Sequence, residues 1–218
     1  VAIYVSQMYP HLKITVNDLY EPLMNFWSNL QMFGDDLYTE LKNLKITYCN
    51  QDSARCLFSE MKDAINDKTK TDLERAVAFY VVNKCSFSGL TESSSFSAQA
   101  SDSNFSMRGI EKLPEYSEII SHWHINQYSY EYCFRTDIHD GLFMYLDPPY
   151  DIKDNLYGHK GSMHKKFDHD KFAEDRFQNW NTTEFDLTYT MRSVGEYMRE
   201  QKERKELLLL NYGTKGLA

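Results

Sequence analysis

Leu142-Phe143-Met144-Tyr145-Leu146-Asp147-Pro148-Pro149-Tyr150 is the stretch from which the rest of the chain is read. Its five leading apolar residues predict a short buried strand. The two prolines then forbid continuation as strand or helix, so the strand ends abruptly. A carboxylate, a rigid turn and an aromatic ring therefore stand together at the carboxyl end of a strand, where open α/β sheets bind ligands. Proline offers no N–H, so the turn presents carbonyl acceptors, and Asp147 adds a charged one. Acceptors without donors suit a ligand with an amino group, and Tyr150 supplies a flat face for a heteroaromatic ring. The exocyclic amine of a nucleobase fits both. The bland alternative is a buried turn that happens to hold two prolines. At about 5% usage per residue type, this tetrapeptide arises by chance in roughly one chain per thousand of this length, which favours function.

Working outward, Leu12-Lys13-Ile14-Thr15-Val16 alternates like a strand and ends in Asn17-Asp18. An acidic residue at such a tip commonly bonds ribose hydroxyls in nucleotide-binding α/β units. Asp18 is that candidate, and it can equally cap the next helix; the two roles are compatible. Residues 1–10 read as an amphipathic helix with Ile3, Val5 and Met8 inward, stopped at Pro10. Helical periodicity runs from Leu19 to about Leu44, again over 52–66, and again over 71–83, each as ordinary core. Asn83 to Leu90 breaks the last of these. The Ser-rich Thr91–Met107 reads either as a flexible surface loop or as a donor of hydrogen-bonding groups to bases and phosphates, through Gln99, Asn104 and Arg108. Glu111–Trp123 is predicted helical, with Leu113, Ile119 and Ile120 inward. Asp168-His169 reads as a helix start rather than part of a metal site with His164. Glu184–Tyr189 alternates as a strand, and Leu207–Tyr212 is a buried strand leaving the charged turn Arg204-Lys205-Glu206.

The 218 residues suffice for one sizeable core, or a core with a small inserted lobe. No run of 18 apolar residues and no signal peptide is visible, so an intracellular chain is expected, in the cytoplasm or nucleoid of a microbe or in the host cell of a virus. Cys49, Cys56, Cys85 and Cys133 lack CxxC spacing, which argues for reduced thiols and against zinc. A net charge of −8 is awkward for a nucleic-acid binder, but affinity depends on a local face. Lys153, Lys160, Lys165, Lys166 and Lys171 follow the Pro-Pro turn and could form one; Lys202, Arg204 and Lys205 form a second group.

Asp-Pro-Pro-Tyr after an apolar strand resembles the catalytic motif of the Dam-like DNA N6-adenine methyltransferase family. Asn83-Lys84-Cys85-Ser86-Phe87-Ser88-Gly89-Leu90 is similar to that family's Asn before Phe-Asn-Gly-Leu, with Ser88 in place of Asn. Ser129-Tyr130 stands where the family carries an Asp and an aromatic against the donor's adenine, so the carboxylate is missing. Tyr157-Gly158 and Phe167-x-His169 resemble the family's loop over the target base. Arg204 to Tyr212 resembles its closing strand.

The resemblance implies an α/β fold: a Rossmann-like methyltransferase sheet with helices on both faces and an inserted, mainly helical target-recognition lobe. Residues 1–48 and 123–218 would form the catalytic domain and 49–122 the target-recognition segment. It implies transfer of a methyl group from S-adenosylmethionine to N6 of a flipped adenine in a specific duplex DNA site, without a metal. Asp147, Pro148, Pro149 and Tyr150 would be catalytic, and Asp18, Ser129, Tyr130 and Asp147 would hold the donor. Asn83, Phe87, Ser88, Gln99, Asn104, Arg108, Lys160 and Lys165 would contact DNA. The expected partners are double-stranded DNA, the donor and a cognate restriction endonuclease, for a monomer or weak dimer away from membranes. Two alternatives stay open: a catalytically silent DNA-binding relative, and a methyltransferase acting on RNA or a protein amide.

The resemblance is incomplete. The chain has no GxG, although the family's Phe-x-Gly-x-Gly loop is expected just before Val1. A Trp-x-x-Ser-Tyr strand is expected between Asp175 and Arg176. Part of a longer polypeptide, lacking segments at the start and near residue 175, would explain both; an intact mass equal to that of these residues would refute it.

Overall fold

A computed structural model of the chain describes residues 1–134, 142–149, 167–176, 181–188 and 203–210. Two units are distinguished, Val1–Lys166 and Phe167–Ala218, and each is described by itself.

The first unit runs α1 (Ala2–Met8), β1 (Thr15–Asn17), α2 (Glu21–Met32), α3 (Gly34–Thr47), α4 (Gln51–Ala64), α5 (Asp72–Cys85), α6 (Ala98–Ser103), α7 (Met107–Ile110), α8 (Leu113–Ile119), β2 (His124–Asn126) and α9 (Tyr130–Phe134). At its centre α5 packs against α2, α3, α4 and α6. Ala76 through Val82 are all buried, as expected of a helix apolar on every side. A capping box starts it: Glu74 N–H donates to Thr71 Oγ1 at 3.2 Å, and Thr71 N–H donates to Glu74 Oε2 at 2.8 Å.

One charge lies inside this core. Arg75 is 4% exposed, and burial of an unpaired guanidinium would be prohibitive. It donates from Nε to the Ile65 carbonyl (3.1 Å) and from Nη1 to Asp72 Oδ1 (3.1 Å), and its Nη2 pairs with Glu21 at the start of α2. Desolvation works against the Glu21 carboxylate, but Arg75 and Lys68 outweigh it and hold the carboxyl below its ordinary range.

The Leu19–Leu44 periodicity is realised as two helices that meet at Phe33-Gly34. Gly34 lies so close to α8 that an added Cβ would collide with the Ser117 side chain. In α1 the inward residue is Ser6 rather than Met8, which is 54% exposed. The cause is Trp123, whose buried indole N–H donates to Ser6 Oγ at 2.7 Å. The Leu12–Val16 strand is displaced: Leu12 is exposed, and β1 covers Thr15–Asn17. It pairs in parallel with β2 in the register Thr15↔His124, Val16↔Ile125, Asn17↔Asn126.

The reading of 142–146 as a buried strand is also corrected. Residues 142–149 form no strand, since a ladder needs a hydrogen-bonding neighbour and this segment pairs with none among the described residues. Instead of being buried throughout it alternates: Leu142, Met144 and Leu146 are half-buried, while Phe143 and Tyr145 are exposed. Of the two readings of Thr91–Met107, the flexible surface loop is set aside by the structure. The stretch holds α6 and a fully buried Phe105, and α7 begins at Met107.

In the second unit Lys171 N–H donates to Asp168 Oδ1 at 2.9 Å, so Asp168 opens α10 (His169–Arg176) as a helix start. Strands β3 (Asn181–Thr188) and β4 (Glu203–Leu210) form an antiparallel pair, registered from Asn181↔Leu210 to Thr188↔Glu203.

Candidate active site

The parallel pairing of β1 and β2 puts both carboxyl ends on one side, and the chain turns there into α2 and α9. The two tips are fastened together by a side chain. Asn17 Nδ2 donates to the Tyr128 carbonyl at 2.9 Å, and Asn17 Oδ1 accepts from Tyr128 N–H at 2.9 Å. The Asp18 N–H reaches the Asn126 carbonyl at 3.4 Å.

Asp18 follows directly. Its Oδ1 accepts from Tyr20 N–H at 2.7 Å, an Asx turn that leads into α2 without capping it, because the helix carbonyl bonds start from Tyr20. The carboxylate keeps acceptor capacity beyond that bond. It lines a recess of about 310 Å³ between α1, α2 and the β1 tip, walled by Ile3, Val16, Leu23, Trp27 and Trp123. Although Asp18 is open to solvent on one side, desolvation in the recess pushes its carboxyl above the ordinary range. The N–H groups of Tyr20 and Leu19 pull it down, and the charge of Asp147 pushes it further up. Asp147 thus lies within electrostatic reach of Asp18. The charge of the predicted catalytic carboxylate is felt at the predicted donor-side one, 129 positions earlier in the chain.

At the β2 tip, Ser129 is half-buried and its carbonyl accepts from Tyr132 N–H at 2.9 Å in the first turn of α9. The Tyr128 and Tyr132 rings lie 4.3 Å apart, and Tyr130 meets Phe134 edge-on at 5.6 Å. A second cavity of about 280 Å³ lies between α2 and the end of β2, with Asn25, Asn29, Asn126 and Gln127 among its walls. Pro148 and Pro149 are half-buried and Asp147 is exposed. Tyr150, Lys160 and Lys165 lie outside the described residues, as do Tyr157-Gly158 and His164.

The loop after α5 is built as a short hairpin. Ser86 bridges Phe96, Phe87 N–H donates to the Ser95 carbonyl (3.1 Å), and Ser97 N–H donates to the Cys85 carbonyl (2.8 Å). At its tip a single 3-10 turn, Phe87–Gly89, carries Ser88 and leaves Phe87 55% exposed. Gly89 adopts φ +69°, the left-handed region that glycine enters without strain. The Asn83 amide is engaged inside the loop, where Nδ2 donates to the Gly89 carbonyl at 3.1 Å. Gln99 on α6, Asn104 at its end and Arg108 on α7 are all exposed.

Below this surface Phe105 is buried edge-on against Tyr80 at 6.4 Å, with Lys45 Nζ 5.0 Å above its ring. Glu92, which the sequence reading passed over, is buried beside Tyr20 and Asn66; it accepts hydrogen bonds from Tyr20 Oη and Asn66 Nδ2. An acid inside a Ser-rich stretch was the one available signal. All four cysteines are free, and burial pushes the Cys85 thiol up to about 12. Among the described residues, no group of three or more His, Cys, Asp or Glu is placed to hold a metal ion, and no helix is long and apolar enough to cross a membrane.

A family model for the D12 class N6 adenine-specific DNA methyltransferases matches residues 1–206. The chain belongs to that family and is an adenine-specific DNA methyltransferase. Its reaction is S-adenosylmethionine-dependent methylation of adenine N6 in DNA. The family fold is Rossmann-like α/β, with which the parallel β1–β2 pair among helices agrees. No curated protein matches the chain.

Proposed function

We propose that this methyltransferase holds its donor at the β1 tip through Asp18 and works on its target amine through Asp147 and the Pro148 carbonyl. The observation that supports this reading is the recess lined by Asp18 at the carboxyl end of β1, where the charge of Asp147 is also felt. The recess beside Asp18 suits the adenosyl portion of the donor: a carboxylate for ribose hydroxyls, and walls of Val16, Leu23 and two tryptophans for the base. Ser129 and Tyr130 would border that base from the neighbouring tip. The bound donor supplies an electrophilic methyl group on a sulfonium.

The chain's own residues prepare the nucleophile. The adenine amino nitrogen is poor because its lone pair is delocalised into the ring. Hydrogen bonds from both amino hydrogens, to the Asp147 carboxylate and the Pro148 carbonyl, favour a pyramidal nitrogen and localise the pair. The exposure of Asp147 leaves it accessible to a base brought out of the duplex. Pro149 fixes the turn, and Tyr150 stacks on the flipped ring.

DNA would lie on the surface formed by Phe87 and Ser88 at the hairpin tip with Gln99, Asn104 and Arg108, supplemented by Lys160 and Lys165. Asn83 serves that surface from below, through its bond to Gly89. Residues 49–122 act as the recognition lobe between catalytic parts 1–48 and 123–218. Methyl transfer to mixed-sequence duplex DNA tests the assignment. Asp147→Ala is expected to abolish turnover, by roughly 10³-fold or more, while DNA affinity falls only modestly. Full activity of that variant would overturn it.

A further inference from the structure

Tyr20 belongs to two places at once. Its backbone N–H donates to Asp18 Oδ1 at 2.7 Å, two residues from the β1 tip. Its hydroxyl, 71 to 72 positions earlier in sequence than its partners, donates to Glu92 and lies 3.4 Å from Thr91 Oγ1. The ring between them packs edge-on against Phe79 of the core at 6.1 Å.

What the hydroxyl reaches is an unusual piece of backbone. Thr91 has φ +48°, a conformation that a β-branched residue enters only when its surroundings enforce it. Those surroundings are present. Thr91 N–H donates to Oγ of the fully buried Ser86 at 3.2 Å, and Glu92 is held by Tyr20 on one oxygen and by Asn66 on the other. Thr91 directly follows Phe87-Ser88-Gly89-Leu90, so the orientation of that exposed turn depends on the strained residue staying where it is.

We propose that Tyr20 is a positioning residue that couples donor binding at Asp18 to the placement of the Phe87–Leu90 turn on DNA. The inference rests on the reading above, that Asp18 holds the donor and this turn meets DNA. Ordering of the β1 tip is passed through one rigid side chain to Glu92 and Thr91, and because coupling is reciprocal, bound DNA tightens the donor site by the same factor. Burial, followed by the neighbouring Glu92, raises the Tyr20 hydroxyl above its ordinary range, so it remains a proton donor.

The experiment measures duplex DNA affinity with and without S-adenosylhomocysteine in the wild type, Tyr20→Phe, Glu92→Gln, Glu92→Ala and Phe87→Ala. Tyr20→Phe keeps the backbone bond to Asp18 and the ring packing, and removes only the hydroxyl. The wild type is expected to bind DNA about tenfold more tightly when S-adenosylhomocysteine is present. Tyr20→Phe loses that tightening, while its affinity for S-adenosylhomocysteine alone stays within about twofold. Glu92→Gln keeps an acceptor and most of the tightening, whereas Glu92→Ala loses it; this pair carries the test if Tyr20→Phe does not fold. Full tightening in Tyr20→Phe or Glu92→Ala, or none in the wild type, overturns the coupling. Phe87→Ala separates the two readings. If it weakens DNA binding, a negative result falls on Tyr20 alone; if DNA affinity is unchanged, the turn is not the contact and the underlying reading fails.

Discussion

Phe105→Ala asks whether the α6–α7 segment belongs to the cooperative core or only rests on it. The ring is fully buried, so its removal loses a transfer contribution and leaves a cavity, together about 3–5 kcal/mol for Phe→Ala. Its edge contact with Tyr80 at 6.4 Å belongs to a class worth about 0.5–1.5 kcal/mol beyond area, which puts the expectation in the upper part of that range. Lys45, 5.0 Å above the ring, loses its cation–π partner but keeps its 3.4 Å bond to the Ser101 carbonyl. We expect about 4–5 kcal/mol in urea unfolding, equivalent to a Tm lower by roughly 8–20 °C at this chain length. Phe105→Leu, which nearly fills the space, should cost about 1.5 kcal/mol. If the surface above carries DNA contacts, KM for DNA rises in the Ala variant while affinity for the donor holds. A loss below about 1 kcal/mol, with amide exchange confined to residues 97–110, would refute the reasoning, because the segment would then open without the core.

Two further substitutions probe the frame of the site. Gly34→Ala drives a methyl group into Ser117 and should lower stability by about 1–3 kcal/mol in thermal melts; Gly34→Ala with Ser117→Gly should recover most of it, and no recovery would locate the strain elsewhere. Glu21→Gln leaves the buried Arg75 facing a neutral acceptor in place of a carboxylate, at a cost of roughly 2–3 kcal/mol near neutrality, less than the 3–5 kcal/mol of a fully stranded charge. Because the folded-state value of Glu21 lies below its ordinary 4.5, its contribution is complete above that pH and is lost as pH falls through the folded value. The stability gap between wild type and variant should therefore close on acidification below 4.5, and a gap that persists there would show that the charge is not responsible.

Much of this arrangement could be read from the residues. The α5 region announced itself through Leu73, Val77, Phe79, Tyr80 and Val81, and the closing hairpin through an alternating stretch facing an apolar run. That a strand ends at Asn17 before a helix was legible too, whereas the Asx turn of Asp18 onto Tyr20 N–H was not, since capping of that helix was an equally available reading. Family membership followed from Asp147-Pro148-Pro149-Tyr150 and its neighbours. The failures have physical causes. An apolar run such as 142–146 encodes its own extended tendency but not the presence of a neighbour to pair with. Helical spacing allowed Met8 inward, and only the distant Trp123 indole decided for Ser6. The Ser-rich stretch allowed a flexible-loop reading because its serines are used as caps: Ser97 accepts from Ala100 N–H and Ser106 from Gly109 N–H, both at 3.2 Å. Single-turn helices with one buried aromatic leave almost no periodic trace.

The amide of Asn17 has a lasting effect on the strand ends. By giving one hydrogen bond to the Tyr128 carbonyl and receiving one from the Tyr128 N–H, it stands in for an additional rung beyond the last residues that pair. The clamp joins the last residue of β1 to the chain just after β2, directly beside Asp18 and Ser129 in sequence. The same rung does not tolerate a carboxylate: Asp in place of Asn17 would turn a donor into a second acceptor against the Tyr128 carbonyl, and the two strand ends would part.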